Sequence, residues 1–436
     1  MKLKKIAVLL AIGAASGSAF ATNGYFGHGY GMKAKGMAGV ATASTSDTFG
    51  GANNPASMVW VGDRMDFGID WFSPKRKAER TGGVFGPGLL DGSATSDSNN
   101  FFIPEFGYNK MLGWDMSVGV TVYGNGGMNT DYPAGQLDSG FCAGGAPSGV
   151  NSSNMLCGNG RLGVDLVQLV IAPTFAMKFN KEHSIGVSPL IGYQRFRAQG
   201  LQAFDNPFFS SSPGNVTNNG YDSAYGFGLR VGYMGQLTDT VTIGAAYATK
   251  INMGKFNDYK GLFAQKGGFD IPENYNLGVS WKATPALRLA LDYQVINHNK
   301  VDSVGNPSTN PALFGTSNGP GFGWGNVNVT KLGMEYQYNK DLTLRTGYSW
   351  GENPIKKRDI TLNILAPAVV TDHATLGFTY NLGGGELTMA YMHAFKESLS
   401  APSELDGIFG APAGTFGNEK IRMYENSLGI AYGIKF

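Results

Sequence analysis

Five histidines and two cysteines are the first side chains to consider as general bases, nucleophiles or metal ligands in this sequence. His28, His183, His298, His373 and His393 are scattered without the short spacing of a metal site. A hydrolase would need one of them oriented beside a nucleophile, and no motif makes that connection. We therefore expect no catalytic residue, no metal and no cofactor, and assign the histidines to loops or to a rim.

The two cysteines, Cys142 and Cys157, are better suited to a disulfide. They are fifteen positions apart in a stretch rich in Gly, Ser and Asn. Two thiols with no nearby histidine supply too few ligands for a metal. A disulfide needs an oxidising compartment, so this prediction depends on export of the chain.

The N-terminus carries an export signal. Lys2, Lys4 and Lys5 precede the apolar run 6–15 and the small-residue site at 19–21. This pattern predicts a secretory signal peptide over 1–21, since such a run is too short for a membrane-spanning helix. Removing its three lysines changes the balance from 34 basic and 32 acidic residues to 31 and 32. A nearly neutral mature chain offers no basic field, which argues against a nucleic-acid partner.

The composition indicates a β-structured membrane protein. The chain has 436 residues, of which 65 are Gly, 12% are aromatic and only 15% are charged, and its mean hydropathy is −0.13. After the signal there is no run of roughly 20 apolar residues, which excludes a helical membrane protein. A hydrophobic share of 42% excludes intrinsic disorder.

Apolar residues alternate with small or polar ones along most of the chain. In the clearest segment one face carries Tyr225, Phe227, Leu229, Val231 and Tyr233, and the other carries Gly226, Gly228, Arg230 and Gly232. Fourteen such segments are predicted, at 63–73, 100–110, 114–123, 163–178, 183–199, 224–237, 241–253, 273–282, 286–299, 327–338, 341–350, 372–382, 386–395 and 425–436.

The gaps between these segments alternate between short and long. Short turns such as 180–182 and 238–240 alternate with long loops such as 124–162 and 300–326. A soluble sandwich has no reason to keep its long loops at one end. An even-numbered antiparallel barrel of the outer membrane does keep them there, because its turns are short on the periplasmic side and its loops are long on the extracellular side. Because lipid offers no hydrogen-bond partners, the strands must close into a ring. We therefore predict an all-β, 14-stranded antiparallel transmembrane β-barrel over 63–436.

A barrel of this size encloses a lumen that must hold water or a plug. Residues 22–62 are rich in small residues and show little strand alternation. We predict that they form an N-terminal hatch inside the lumen, with a periplasmic tail as the alternative. The last strand ends in Phe436, and a terminal aromatic after alternation is similar to the signal read by the barrel assembly machinery.

An ordered set of motifs resembles the FadL/OmpP1/TodX family. The resemblance covers essentially the whole mature chain and rests on Asn54-Pro55-Ala56, the segment 123–128 (YGNGGM), the segment 269–275 (FDIPENY) and the segment 344–348 (LRTGY). It implies a fourteen-stranded barrel of the bacterial outer membrane, surrounded by lipid, which carries hydrophobic molecules by passive diffusion, and we expect the barrel to be a monomer.

The resemblance implies long-chain fatty acids as the first expectation for the ligand and monoaromatic hydrocarbons as the alternative. Capture at outer loops would be followed by transfer to a pocket beside the hatch and by sideways exit through a kinked third strand. A surface-binding receptor barrel is the alternative from another class. A hydrophilic porin is disfavoured by the plug-like N-terminus.

The family's functional positions transfer to this chain as follows. Asn54, Pro55 and Ala56 match the hatch motif. The third-strand kink would fall at Gly124, Gly126 and Gly127, although glycines here could also begin a flexible loop.

The resemblance also implies three ligand-contacting residues. Tyr25 and Phe26 would provide apolar contacts near the mature N-terminus, and Arg195 would face the ligand carboxylate. Strand parity with Tyr193 would aim Arg195 outward unless a bulge intervenes. A second basic ligand residue has no clear counterpart, and its absence would favour a neutral ligand.

Overall fold

The structure, a computed structural model, describes residues 23–436; the predicted signal peptide and Thr22 lie outside this range. Fourteen long strands dominate it. They are β1 (Arg64–Thr81), β2 (Phe101–Met111), β3 (Met116–Asn129), β4 (Gly163–Lys178), β5 (His183–Gln199), β6 (Asp222–Gln236), β7 (Val241–Ala248), β8 (Asn274–Lys282), β9 (Leu287–Ile296), β10 (Val327–Gln337), β11 (Leu342–Gly351), β12 (Asp372–Asn381), β13 (Glu386–Pro402) and β14 (Asn418–Lys435).

The strands form one closed antiparallel ring. Each pairs with the strands before and after it in the chain, and β1 pairs with β14 from Arg64↔Lys435 to Thr81↔Asn418. Closure gives every strand two neighbours, as a lipid environment requires. The predicted fourteen-stranded barrel is confirmed.

The remaining elements are short and do not form part of the ring. Two-to-four-residue strands occupy Gly92–Thr95, Leu137–Asp138, Asn151–Ser153 and Asn252–Met253. Helical turns occupy Met32–Lys35, Pro55–Trp60, Ser139–Cys142, Gln202–Phe204, Asn257–Tyr259, Ala264–Gly267, His298–Lys300, Asp302–Gly305, Lys357–Asp359, Leu362–Ile364 and Leu405–Ile408. Within residues 23–436, no helix combines the length and the apolar character needed to cross a membrane.

The alternation in the sequence corresponds to the two faces of the barrel wall. On β6 the outward residues Tyr225 and Phe227 are 66% and 67% exposed, whereas Ala224 and Arg230 are buried. The same parity holds on the last strand, where Leu428 and Ile430 face outward. The apolar face of the wall therefore points away from the lumen, as it must in lipid.

The connections are of two kinds. At one end, here called the short-turn end, the links are 112–115, 179–182, 237–240, 283–286, 338–341 and 382–385. At the other, the long-loop end, the links are 82–100, 130–162, 200–221, 249–273, 297–326, 352–371 and 403–417. The long loops pack over this end of the barrel, and most of the largest cluster of buried apolar side chains lies among them.

Candidate functional site

Residues 23–62, here called the N-terminal segment, pack against the inward faces of the strands and are almost entirely buried. Carboxylates of the wall hold their backbone. Asp292 Oδ2 accepts hydrogen bonds from the amides of Ala41 and Thr42, each at 2.8 Å. Asp66 Oδ2 accepts one from the Thr48 amide at 3.0 Å. Charge-assisted bonds of this kind are roughly twice as strong as neutral ones, so these carboxylates anchor the segment.

Two ion pairs add to this attachment, of which Lys35–Asp70 is buried and Lys33–Glu386 is half-buried. Lys33 Nζ lies 2.5 Å from Glu386 Oε1, and Lys35 Nζ lies 2.6 Å from Asp70 Oδ2. Removing one partner of a buried pair leaves an uncompensated charge, which is costly. The short helix Met32–Lys35 is thereby tied to strands on both sides of the barrel seam.

Asn54, Pro55 and Ala56 lie against the wall at β5 and β6. Asn54 Nδ2 donates to the Tyr233 carbonyl at 2.8 Å, and Asn54 Oδ1 accepts from the Ala56 amide at 3.1 Å, which caps the turn beginning at Pro55. A Cβ on Gly186 would lie 2.4 Å from the carbonyl carbon of Pro55. The motif thus requires a wall without a side chain at this point.

The third strand carries an irregularity at the predicted glycines. Pairing of β3 with β4 shifts register between Gly124 and Gly126. Pairing of β2 with β3 ends at Phe106↔Val122, so within the described residues the part of β3 toward the long loops is not paired with β2. Gly126 instead forms an antiparallel bridge with Phe26. The alternative of a flexible loop start does not describe this segment, because β3 continues to Asn129.

The N-terminal segment meets this bulge. Gly127 donates its amide to the Tyr25 carbonyl at 3.0 Å, and Gly27 donates to the Asn125 carbonyl at 3.1 Å. A Cβ on Gly126 would lie 1.7 Å from the Tyr25 carbonyl oxygen. Two sets of residues named separately from the sequence therefore come together here.

Above this contact Tyr25 lies in a cluster of aromatic rings. Its ring centroid is 5.6 Å from Phe26, 5.9 Å from Phe269, 5.1 Å from His298 and 5.8 Å from Trp324. All five side chains are buried. Aromatic pairs at these distances are attractive, and the cluster is apolar apart from the imidazole.

The imidazole of His298 is uncharged. Burial lowers the pKa of His298 to about 4, and His298 Nε2 lies 3.2 Å from the Asn23 carbonyl. The histidines were expected in loops or at a rim, and His298 does begin a loop. His28 and His373 instead stack in the interior with centroids 5.9 Å apart.

A chain of rings leads from the loop surface toward this cluster. Successive centroids are 4.6–6.3 Å apart, except where an apolar cavity lies between the two halves of the chain. The outer half is Phe85, Phe141, Phe416, Phe409, Phe209, Phe204 and Phe314, and the inner half is Phe196, Phe263, Phe269 and Tyr25.

The apolar cavity itself is small and uncharged. It measures about 30 Å³, and Ser303 is its one polar side chain among Val164, Phe196, Leu201, Phe204, Leu262, Phe263, Phe314, Pro320, Phe322, Leu362 and Leu365. A benzene-sized ring needs more room than this, so passage requires one of the lining side chains to move aside.

The predicted ligand residue Arg195 lies elsewhere. It is half-buried on the outward parity of β5, and its guanidinium carbon is 4.6 Å from the ring centroid of Tyr221. The neighbouring Phe196, on the inward parity, reaches the cavity. The structure brings Tyr25 and Phe26 together but places Arg195 on the other face of the wall.

One inward arginine is held weakly. Arg230 on β6 is buried, its Nη1 donates to the Asn53 carbonyl at 3.4 Å, and its Nε has no hydrogen-bond partner within residues 23–436. Sequence parity placed Arg230 on the inward face but gave no reason to prefer it over Arg345, which pairs with Glu335.

Cys142 and Cys157 form a disulfide in the loop 130–162, with Cα atoms 5.1 Å apart. Among the described residues, no group of three or more His, Cys, Asp or Glu could hold a metal ion. Sequence reasoning missed the places of Phe196, His298 and Trp324 in the site. His298 and Trp324 lie in the loop 297–326, where residues follow no period, and the alternation on β5 gives the inward face of Phe196 but not the cavity that it reaches. Phe269 begins the motif 269–275 (FDIPENY), and this motif was the one sequence signal that pointed to a residue of the ring cluster.

Comparisons with known proteins agree on one family. The sequence profile described as "Outer membrane protein transport protein (OMPP1/FadL/TodX)" matches residues 8–403. A search of curated protein sequences finds no significant match.

Solved structures share the fold. The Pseudomonas putida toluene transporter TodX superposes with a TM-score of 0.67 at 17% identity, covering 94% of this chain and 99% of its own. The Ralstonia pickettii toluene transporter TbuX gives 0.61 at 17% identity, with coverage of 94% and 99%. A Pseudomonas aeruginosa FadL homologue gives 0.67 at 15% identity, with coverage of 95% and 100%.

Proposed function

The chain belongs to the OMPP1/FadL/TodX family of outer-membrane transport proteins, and we propose that the hydrophobic compounds it carries are small, neutral and aromatic. The family consists of transport channels for hydrophobic molecules. The finer assignment rests on the route through the long-loop end of this barrel.

The observation that carries the proposal is the lack of charged side chains around the apolar cavity, in the inner part of this route. The apolar cavity has no charged lining residue, and His298 below it is neutral at ordinary pH because burial lowers its pKa to about 4. A carboxylate buried there would have no cation to pair with and would be costly. A neutral ring gains about 25 cal/mol for each Å² of apolar surface that leaves water.

We further propose that the compound leaves sideways. Between β2 and β3 the ladder ends at Phe106↔Val122, and the Tyr25–Gly27 backbone covers the bulge from inside. Movement of Tyr25 and Phe26 would open a path from the ring cluster to lipid. In this scheme residues 23–62 act as the hatch, and the anchors at Asp292 and Asp66 keep most of it in place.

Long-chain fatty acids are the second candidate, and Arg230 is the observation that favours them. Its buried guanidinium makes one long hydrogen bond, so an anion entering the lumen would gain a partner. Arg195, the residue implied by family resemblance, remains a candidate only if the acid passes along the outer face of β5.

The experiment compares uptake of labelled toluene and labelled oleate in cells that lack their own carriers. The diagnostic variant is Leu262→Gln, which introduces an amide at a half-buried lining position of the cavity. Leu237→Gln, at an exposed site of a short turn, is the matched control. We expect toluene uptake to fall severalfold with Leu262→Gln and to be unchanged with Leu237→Gln.

The two ligand classes are separated by the arginines. Oleate uptake that exceeds background and is lost in Arg230→Gln or Arg195→Ala would establish the fatty-acid function and overturn the neutral-ligand proposal. Toluene uptake unaffected by Leu262→Gln, with the variant present in the outer membrane at normal level, would remove the cavity from the route.

A further inference from the structure

Two arginines near the long-loop end of β5 face outward from the barrel. Arg195 pairs with Ser223, and Tyr193 pairs with Tyr225. Directly paired residues of neighbouring strands share a face, and Tyr225 is among the most exposed residues of the wall. Arg195, and with it Arg197, therefore lies on the lipid-facing side, above a pair of tyrosines whose ring centroids are 5.1 Å apart.

Tyr221 orients both guanidinium groups. Their central carbons are 4.6 Å and 4.9 Å from its ring centroid, for Arg195 and Arg197 respectively. The Tyr221 hydroxyl donates to Asp165 Oδ2 at 2.5 Å, which fixes the ring. Stacking of this kind suits arginine and restricts the planar groups before any ligand arrives.

Arg197 borders a polar cavity of about 200 Å³ beside the bulged strand. Among the described residues its guanidinium has neither a hydrogen bond nor an ion pair, although Asp165 stands opposite it in the strand register. A second acid at the cavity, Asp131, is bound by Arg161 at 2.6 Å. The other polar linings are Ser98, Asn100, Asn129, Thr130 and Gln199.

Below the arginines the same face of the wall is apolar. Phe227, Leu229 and Val231 continue outward from Tyr225 toward the barrel middle and are exposed. A molecule bound by the arginines would therefore have its tail against this strip. Cations at the membrane surface above an apolar strip match an amphiphile with an anionic headgroup.

We propose that Arg195, Arg197 and Tyr221 form a binding site for the phosphate of an outer-leaflet lipid, whose acyl chains lie along the outward face of β6. The planar guanidinium groups match a phosphate by bidentate hydrogen bonding. The cavity at Arg197, of about 200 Å³, has room for a phosphate group. The site goes beyond the proposed function: the chain of rings lies on the opposite face of β5, where Phe196 meets the apolar cavity, whereas the cavity at Arg197 borders the β2–β3 gap proposed for lateral exit.

The test measures binding of tritiated lipid A, bearing two phosphates, to the purified full-length protein in a neutral detergent. The variants are Arg197→Gln and the double variant Arg195→Gln/Arg197→Gln, with Lys282→Gln, an exposed cation at the short-turn end, as control. Loss of a charged hydrogen-bonding partner predicts about tenfold weaker binding for Arg197→Gln. We expect a larger loss in the double variant and none for Lys282→Gln.

Three further measurements decide the nature of the ligand. Lipid A stripped of its phosphates is expected to bind weakly and equally to all variants. Inorganic phosphate that competes as well as lipid A at equal concentration would make this a site for the free anion and overturn the lipid proposal. Oleate that displaces lipid A in an Arg197-dependent manner would assign the site to a carboxylate and overturn it as well.

Folding and transport are controlled separately. Heat-dependent mobility on gels reports an intact barrel. Arg197→Lys keeps the positive charge but lacks the planar guanidinium group that forms bidentate hydrogen bonds. Equal lipid A binding by the folded double variant and the unmodified chain would refute the site. Because binding is measured without uptake, this failure is distinguishable from failure of the transport proposal.

Discussion

Gly126→Ala is the substitution that most directly tests how the N-terminal segment is attached to β3. A Cβ at Gly126 would lie 1.7 Å from the Tyr25 carbonyl oxygen and 2.8 Å from its carbon. Both contacts are with backbone, so no side-chain rotation relieves them. The Tyr25–Gly27 backbone must therefore withdraw from β3.

The magnitude follows from the bonds that are lost. Withdrawal breaks the hydrogen bonds from Gly127 to Tyr25 and from Gly27 to Asn125. At about 1 kcal/mol each, their loss amounts to about 2 kcal/mol. This corresponds to roughly a 30-fold increase in the population of the withdrawn segment, if the remainder of the N-terminal segment keeps its anchors.

Hydrogen exchange measured by mass spectrometry checks this expectation. Amides in a peptide spanning 23–31 should exchange at least tenfold faster in Gly126→Ala, whereas peptides from 40–60 should be unchanged. Gly384→Ala is the matched control, since nothing lies within 4 Å of a Cβ there. Unchanged protection of 23–31 in a folded Gly126→Ala barrel would refute the assignment of this glycine.

Three further predictions concern the anchors and the loops. Burial raises the pKa of Glu404 to about 8, whereas in the unfolded loop the carboxyl group loses its proton near 4.5. The stability of the loop 403–417 should therefore fall as the pH rises between these two values. Hydrogen exchange of this loop should show the pH dependence, and Glu404→Gln should abolish it. Cys142→Ser should speed proteolysis of the loop closed by Cys157 while leaving the melting temperature of the barrel unchanged. Asp292→Asn should weaken three hydrogen bonds to the N-terminal segment and raise its rate of protease cleavage about tenfold, with equal rates contradicting the anchor.

The barrel could be predicted because lipid imposes a strict alternation on each strand. Where that constraint ends, the prediction ended too. β1 continues to Thr81 and β14 begins at Asn418, beyond the predicted limits of 73 and 425. In this extension the outward positions are polar, and Arg422 pairs with Glu79 across the two strands. These strands rise above the apolar zone, so their outward residues no longer have to be apolar.

The candidate site was predicted only in part, for a related reason. Tyr25, Phe26 and the glycines of β3 could be named by family resemblance, but their contact with one another depends on a tertiary path. The cavity residues Phe196 and Phe314 come from loops and strand ends far apart in the sequence. The alternation along β5 correctly predicted that Arg195 faces outward. The family resemblance, which implied a contact between Arg195 and the ligand, did not take this orientation into account.

The position of Tyr25 and Gly27 couples two closures that could have been independent. Tyr25 contributes its ring to the aromatic cluster at the end of the apolar route, and its carbonyl pairs with the bulge beside the interrupted β2–β3 ladder. Rotation of the ring alone would leave the backbone bond to Gly127 intact, whereas a ligand that shifts Tyr25 as a whole would break it. Under the proposed lateral exit, such a shift would link arrival of a compound at the cluster to weakening of the contact at β3. Under the same proposal, the driving force would be the transfer of the apolar compound from water to lipid.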